Sequence, residues 1–272
     1  MKNVDGFERS NSIPLKVAIA VIVGLILSIW LLNTPQGLLG KADAIGYAVC
    51  HRIEVRSFSI GTRSFPLCAR CSGMYLAAVL GLVFQALVGR RRGGTPGWAI
   101  LTVLGIFFLA FAVDGLNSFL SIIPGFPILY EPQNWSRLLT GTGMGLVIAV
   151  ALFPAFNQTV WKDRDTRSAI PDIKTLFVLI LLALILDWVL LMENPIILYP
   201  LALLSAAGVL VLLTMIYSMV WIMILHSENR YSNFNQLIFP LVGGFGIALI
   251  QIGLLDLVRF LITGTWDGFH FG

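Results

Sequence analysis

Apolar residues gather in seven long runs along this 272-residue chain. Each approaches the roughly 20 residues that carry a helix across about 30 Å of hydrocarbon. They run from Ile13 to Leu32, Cys71 to Val88, Gly97 to Leu120, Arg137 to Pro154, Ile173 to Met192, Leu201 to Leu225 and Leu237 to Ile262. The pattern predicts an all-α fold: a polytopic transmembrane helix bundle of about seven spans, forming one integral membrane domain over residues 1–272. The first run is too long for the core of a signal peptide, and no small-residue cleavage site follows it before Lys41, so it reads as a retained anchor. A cysteine-containing loop joins the first two spans, and its Gln36 to Val49 segment reads as a short interfacial or re-entrant helix.

Composition agrees with this reading. Hydrophobic residues make up 57% and charged residues only 12%, against about 25% charged in soluble domains. A soluble single domain, a coiled coil and a disordered chain are excluded. Lys and Arg are retained on the cytoplasmic side of a membrane. A cytoplasmic N-terminus keeps Lys2, Arg9, Arg90, Arg91, Arg92, Lys162, Arg164, Arg167 and Arg230 inside. Only Lys41, Arg52, Arg56 and Arg63 then fall outside, all before the second span. The expected placement is therefore the cell membrane, with the cysteine loop extracytoplasmic. A basic loop on the unfavoured side reads as a site; its rival is an inverted or six-helix topology. The net charge of +4 is mostly this retention signal, so no nucleic-acid partner is expected.

All three cysteines lie in that loop or at its edge: Cys50-His51-Arg52, then Arg56-Ser57-Phe58, then Leu67-Cys68-Ala69-Arg70-Cys71-Ser72-Gly73-Met74-Tyr75. Cys68 and Cys71 form a C-x-x-C whose spacing turns both sulfurs to one centre, and Cys50 and His51 complete a four-ligand set for zinc. Adjacent Cys50 and His51 need a kinked backbone to bind one ion; if only one binds, a position stays open. Two other readings stand beside the metal: a redox pair with a resolving thiol, Cys71 being activated in the first turn of a helix beside Arg70, or thiols that merely pack.

Ionisable groups inside apolar spans cost several kcal/mol unless paired or set in a cavity. Asp114 and Asn117 share a helix face, and the fourth span opens with Asn134, Arg137, Thr140 and Gly141. Asp187, and Asp256 with Arg259, fall late in their spans. In the topology above, all lie in the outer half, beside the cysteine loop. The expectation is one outward-facing polar cavity that Asp114 and Arg137 share with that loop. Arg52, Arg56, Arg70 and Arg137 would hold an anion there, arginine being suited by its planar fork and persistent charge. Asp256 with Arg259 reads equally as a self-neutralising pair, and Asp187 as a lone buried acid. Gly141, Gly143 and Gly145 include a G-x-x-x-G, the sign of close helix packing. The stiff connection from Pro124 to Pro132 reads as a lid, with Tyr130, Trp135 and Tyr199 as interface anchors. His226 and His270 show no partner in the sequence.

The cysteine motifs above, with Asp114-Gly115, Asn134, Arg137, Thr140 and Gly141, resemble the membrane-protein family grouped as domain of unknown function 2085. The likeness spans about residues 45–150 and departs at Ser72 and Asn117, where Thr and Gln are expected. It implies a polytopic fold with a shared polar site and no particular reaction. Three functions remain open: binding or transport of an anionic or lipid-linked small molecule beside a metal, a membrane-embedded metal-dependent enzyme acting on a lipid-linked substrate, and a thiol oxidoreductase using Cys68 and Cys71.

Overall fold

The computed structural model describes residues 13–123 and 125–268. In chain order its helices are α1 (Ile13–Asn33), α2 (Gly37–Val49), α3 (Ala69–Gly89), α4 (Trp98–Leu120), α5 (Asn134–Val160), α6 (Ile173–Leu191), α7 (Pro195–Ile224) and α8 (Phe234–Thr263). All but α2 are long and apolar enough to cross a membrane, seven in number among the described residues. At 13 residues α2 reaches only about 20 Å, too short to span. It is not interfacial: Ala44 and Tyr47 are fully buried, and the helix packs against α7 and α8.

Three spans are longer than the sequence suggests. Helices α5, α7 and α8 begin at Asn134, Pro195 and Phe234, and they carry Pro154, Pro200 and Pro240 inside them. Within hydrocarbon a broken helix would strand backbone groups with no water to bind, so the chain keeps the helix and absorbs the proline. Large apolar side chains such as Leu25, Phe108, Leu109 and Leu181 face outward, as expected of a multi-pass membrane protein whose outer surface meets lipid.

Two small sheets mark opposite ends of the bundle. Strands β1 (Ser57–Ile60) and β2 (Arg63–Cys68) form an antiparallel hairpin leading into α3. Strand β3 (Arg92–Gly94), just beyond the far end of α3, pairs in parallel with β4 (Asp165–Ser168). At that far end Lys162 N donates to Tyr231 O at 3.0 Å and Arg91 to Ser232 O at 2.6 Å, joining three connections in one layer.

Helices α3 and α5 run parallel in the closest contact of the bundle. A Cβ on Gly141 would lie 2.0 Å from the Arg70 carbonyl oxygen, and one on Gly145 would lie 2.2 Å from that of Met74. Further along both helices, Ala149 meets Gly81. Small residues at i and i+4 on both helices thus let backbone touch backbone. The Gly141→Ala variant should lose about 2 kcal/mol or more through overpacking against a carbonyl that cannot swing aside. Gly105→Ala on α4, with nothing within 4 Å of its Cβ, should leave thermal melting in detergent unchanged or raised.

Candidate functional site

The three cysteines come together from three elements. Gly46 of α2 sits so close to β2 that an added Cβ would lie 2.0 Å from the Pro66 carbonyl oxygen, which brings the end of α2 onto the strand. Cys50 follows directly, and its sulfur accepts the Cys68 N–H at 3.3 Å. Cys68 ends β2, Cys71 lies in the first turn of α3, and the three sulfurs fall within 4.8 Å of one another. Zinc bound by thiolates at about 2.3 Å sets sulfurs roughly 3.8 Å apart, so small side-chain adjustments would seat an ion. Hydrogen bonds from Cys68 and Cys71 hold the Cys50 thiol well below the ordinary range. Cys68, which donates to it, is pushed up to about 12.

Arg259 of α8 fixes the backbone here. It donates to Tyr47 O and Cys50 O, both at 2.6 Å, and to His51 O at 3.2 Å, with its guanidinium 4.0 Å from the Tyr47 ring centroid. That of Tyr47 is among the carbonyls that the C-terminus of α2 leaves unsatisfied, and those of Cys50 and His51 follow directly after the helix.

His51 does not join the sulfurs, which corrects the four-ligand set. Cys50 is extended, with φ −136° and ψ 146°, so the next side chain points the other way. His51 Nδ1 accepts the Ile53 N–H at 3.1 Å. Burial lowers the His51 pKa, and Arg56, Arg70 and Arg137 lower it further against the opposing effect of Cys50.

Those three arginines converge on one face of α4. Arg70 Nε donates to Asp114 Oδ2 at 3.0 Å, Nη2 reaches the same oxygen, and Nη2 also donates to Ser118 Oγ at 2.8 Å. Arg137 Nε reaches Ser118 Oγ at 3.4 Å and its Nη1 donates to Asn134 Oδ1 at 3.0 Å. Arg56 reaches Ser121 Oγ at 3.5 Å, and burial with the Arg70 charge holds its pKa down. Asp114 also accepts from Tyr130 at 2.6 Å and from Thr140 at 3.1 Å. Three guanidiniums therefore gather beside one carboxylate, which Arg70 alone of the three binds directly. Asp114 and Arg137, expected to share this cavity, are not paired with one another: Asp114 pairs with Arg70, the second residue of α3.

Other expected members stand apart. Arg52, in the left-handed region at φ 52°, turns away from the cluster to pair with Asp43 at 2.9 Å and to donate to Trp266 O. Asn117 is spent on the connection to α5, binding Tyr130 O and Leu129 N, each at 2.8 Å. Asn134 Nδ2 donates to Val55 O at 3.4 Å. Tyr130 is a ligand of Asp114, not only an interface anchor; burial and that carboxylate push its pKa up to about 12. Asp187 accepts from Thr142 at 2.7 Å, and Asp256 from Trp30 at 3.0 Å. Lys41 binds the last carbonyls of α1, which accounts for one positive charge on this end. His226 lies in the layer at the opposite end; Lys2, Arg9, Pro124 and His270 lie outside the described residues.

Ser118 and Ser121 are the participants that the sequence reading passed over, and Arg259, read as a partner of Asp256, binds the backbone of the thiol end instead. Asp114, Asn117, Ser118 and Ser121 fall at i, i+3, i+4 and i+7, the spacing of one helix face, so the serines were readable. Arg259 gave no such sign, because its partners are backbone carbonyls.

Comparison with known proteins places this site inside the matched region. A family model described as a predicted membrane protein (DUF2085) matches residues 50–151. An uncharacterized protein of Methanothermobacter thermautotrophicus is 30% identical over 103 residues, 38% of this chain and 82% of that protein. An uncharacterized protein of Methanocaldococcus jannaschii is 26% identical over 121 residues, 44% of this chain and 70% of its own length. No solved structure matches the chain.

Replacing Asp114 leaves Arg70 without its countercharge in a buried setting. Asp114→Asn should cost roughly 3 kcal/mol or more, and Tyr130→Phe, which removes one hydrogen bond to the same carboxylate, about 1–2 kcal/mol. Thermal unfolding of the detergent-solubilised variants checks the order; equal melting would show that the carboxylate does not hold the arginines together.

Proposed function

We propose that this chain, which belongs to the family of predicted membrane proteins called domain of unknown function 2085, holds a metal ion at Cys50, Cys68 and Cys71 and binds an anionic or lipid-linked small molecule at the neighbouring arginines. The observation that carries the reading is the convergence, at one end of the bundle, of three sulfurs within 4.8 Å with three arginines that reach one face of α4, where Asp114 pairs with Arg70 alone. An all-sulfur set favours zinc among common metals. Arg70 and Arg137 stand in the first turns of α3 and α5, where helix N-termini add their own attraction for negative charge. Asp114 and Ser118 hold two of the guanidiniums in place, and Asn134 orients Arg137. The role that fits is binding or transport.

A second reading comes from the absence of His51 from the thiol group. Three protein ligands leave the fourth position of a tetrahedral ion open to water or substrate. Zinc in that state supplies a Lewis acid and a water of lowered pKa, and the bound molecule would then be a substrate.

Purified protein should carry about one zinc per chain by elemental analysis, the stoichiometry of a single tetrahedral site. Cys68→Ser should abolish it and His51→Ala should keep it. Metal-free protein with Cys68 and Cys71 joined in a disulfide would overturn the metal and favour the thiol oxidoreductase. For the anion, phosphate should raise the melting temperature of the zinc-loaded protein. Arg137→Lys, which keeps the charge but loses the fork, should remove most of that gain; an undiminished shift places the anion elsewhere.

The proposed orientation puts the far end in the cytoplasm and the thiol end outside, a reading supported by the positive charges of the far end. In a background lacking the native cysteines, Pro127→Cys should react with an impermeant reagent in intact cells, and Glu228→Cys only after lysis. The reverse pattern would invert the orientation.

A further inference from the structure

Between α1 and α8, near the thiol end but on another face of α8, lies a cavity of about 650 Å³. Its walls are largely apolar, among them Ile26, Ile29, Leu249 and Leu254, with Trp266 nearby. Its polar members are Asn33 and Thr34, whose side chains donate to the Ile29 and Trp30 carbonyls, and one acid. Asp256, only 3% exposed, lies seven residues before the end of α8, roughly 10 Å along the helix axis. Trp30 Nε1 donates to its Oδ2 at 3.0 Å and fixes the orientation of the carboxyl group. Its Oδ1 is buried with no hydrogen-bond partner among the described residues. Leaving such an oxygen unsatisfied costs about 1–3 kcal/mol, a cost that a suitable guest would remove.

We infer that this cavity binds a membrane amphiphile through a hydroxyl headgroup, with the hydroxyl on Asp256 Oδ1 and the hydrocarbon chain between α1 and α8. The chemistry of the guest follows from the acid. A hydroxyl both donates and accepts, so it satisfies the carboxyl group whether ionised or protonated. An ester carbonyl suits only the protonated form. An ammonium suits only the ionised one, and with Arg259 one turn away it would leave an unbalanced positive charge in a poorly solvated place. The length and apolar character of the walls suit an alkyl or acyl chain.

The test uses full-length protein in phosphatidylcholine nanodiscs and a long-chain alcohol bearing a photoreactive diazirine on its tail. Crosslinks mapped by mass spectrometry should fall on residues 26–34 and 249–257. Because a hydrogen bond to such a group is worth about one tenfold step in affinity or more, 1-dodecanol should compete about tenfold better than dodecane, which can neither donate nor accept one. Asp256→Leu should erase that preference. Gly253→Leu, which projects into the cavity from a position whose Cβ would lie 3.8 Å from Trp30, should abolish the crosslinks and serves if Asp256→Leu does not fold. Equal competition by alcohol and alkane, crosslinks spread over every lipid-facing helix, or labelling unchanged in Gly253→Leu would each overturn the inference.

Discussion

The contact between the backbones of α3 and α5 governs the rest of this molecule. Two helices can approach until carbonyl oxygens touch the facing Cα positions only where both present small residues, and Gly73, Ala77 and Gly81 face Gly141, Gly145 and Ala149 here. Because the two are parallel, α4 must return between them in sequence, and its polar face is drawn to the mouth of the seam. The seam therefore fixes more than packing. It sets Arg70 and Arg137 side by side, each at the positive end of its helix, with the carboxylate of Asp114 close enough to serve both surroundings.

That arrangement is electrostatically lopsided. Two helix N-termini and three guanidiniums are opposed by one carboxylate in a setting that water only partly screens. Hydroxyls on Ser118, Ser121, Thr140 and Tyr130 spread the charge without cancelling it. A protein seeking only stability would place a second acid here. The residual positive potential beside a cluster of thiols is what gives the site its character, and it survives because the seam beneath is stiff enough to hold like charges together.

Much of this was legible in the sequence. The seven spans follow from apolar length alone, and the glycines of α5 read as close packing because G-x-x-x-G has that meaning in lipid. The polar residues of α4 and α5 were placed at one end by position within each span. What escaped was set by three-dimensional detail. His51 adjoins Cys50 in sequence, yet extended backbone turns it from the sulfurs. Arg52 lies in the same motif, but its left-handed φ sends it to Asp43. Asp256 and Arg259, at pairing distance along one helix, were claimed by Trp30 and by the end of α2. Local spacing predicts which residues can meet, and competition from the remainder of the fold decides which of them do.

The clip that Arg259 places on the Cys50 carbonyl spans 209 positions of sequence. Synthesis at about 5–20 residues per second leaves roughly 10–40 s between the appearance of the two residues. Through that interval the cysteines of the first connection have left the ribosome while the helix that secures their backbone has not been made. The thiol cluster is accordingly a late feature of biogenesis, closed by the final span, although its own ligands are among the first third of the chain to be inserted.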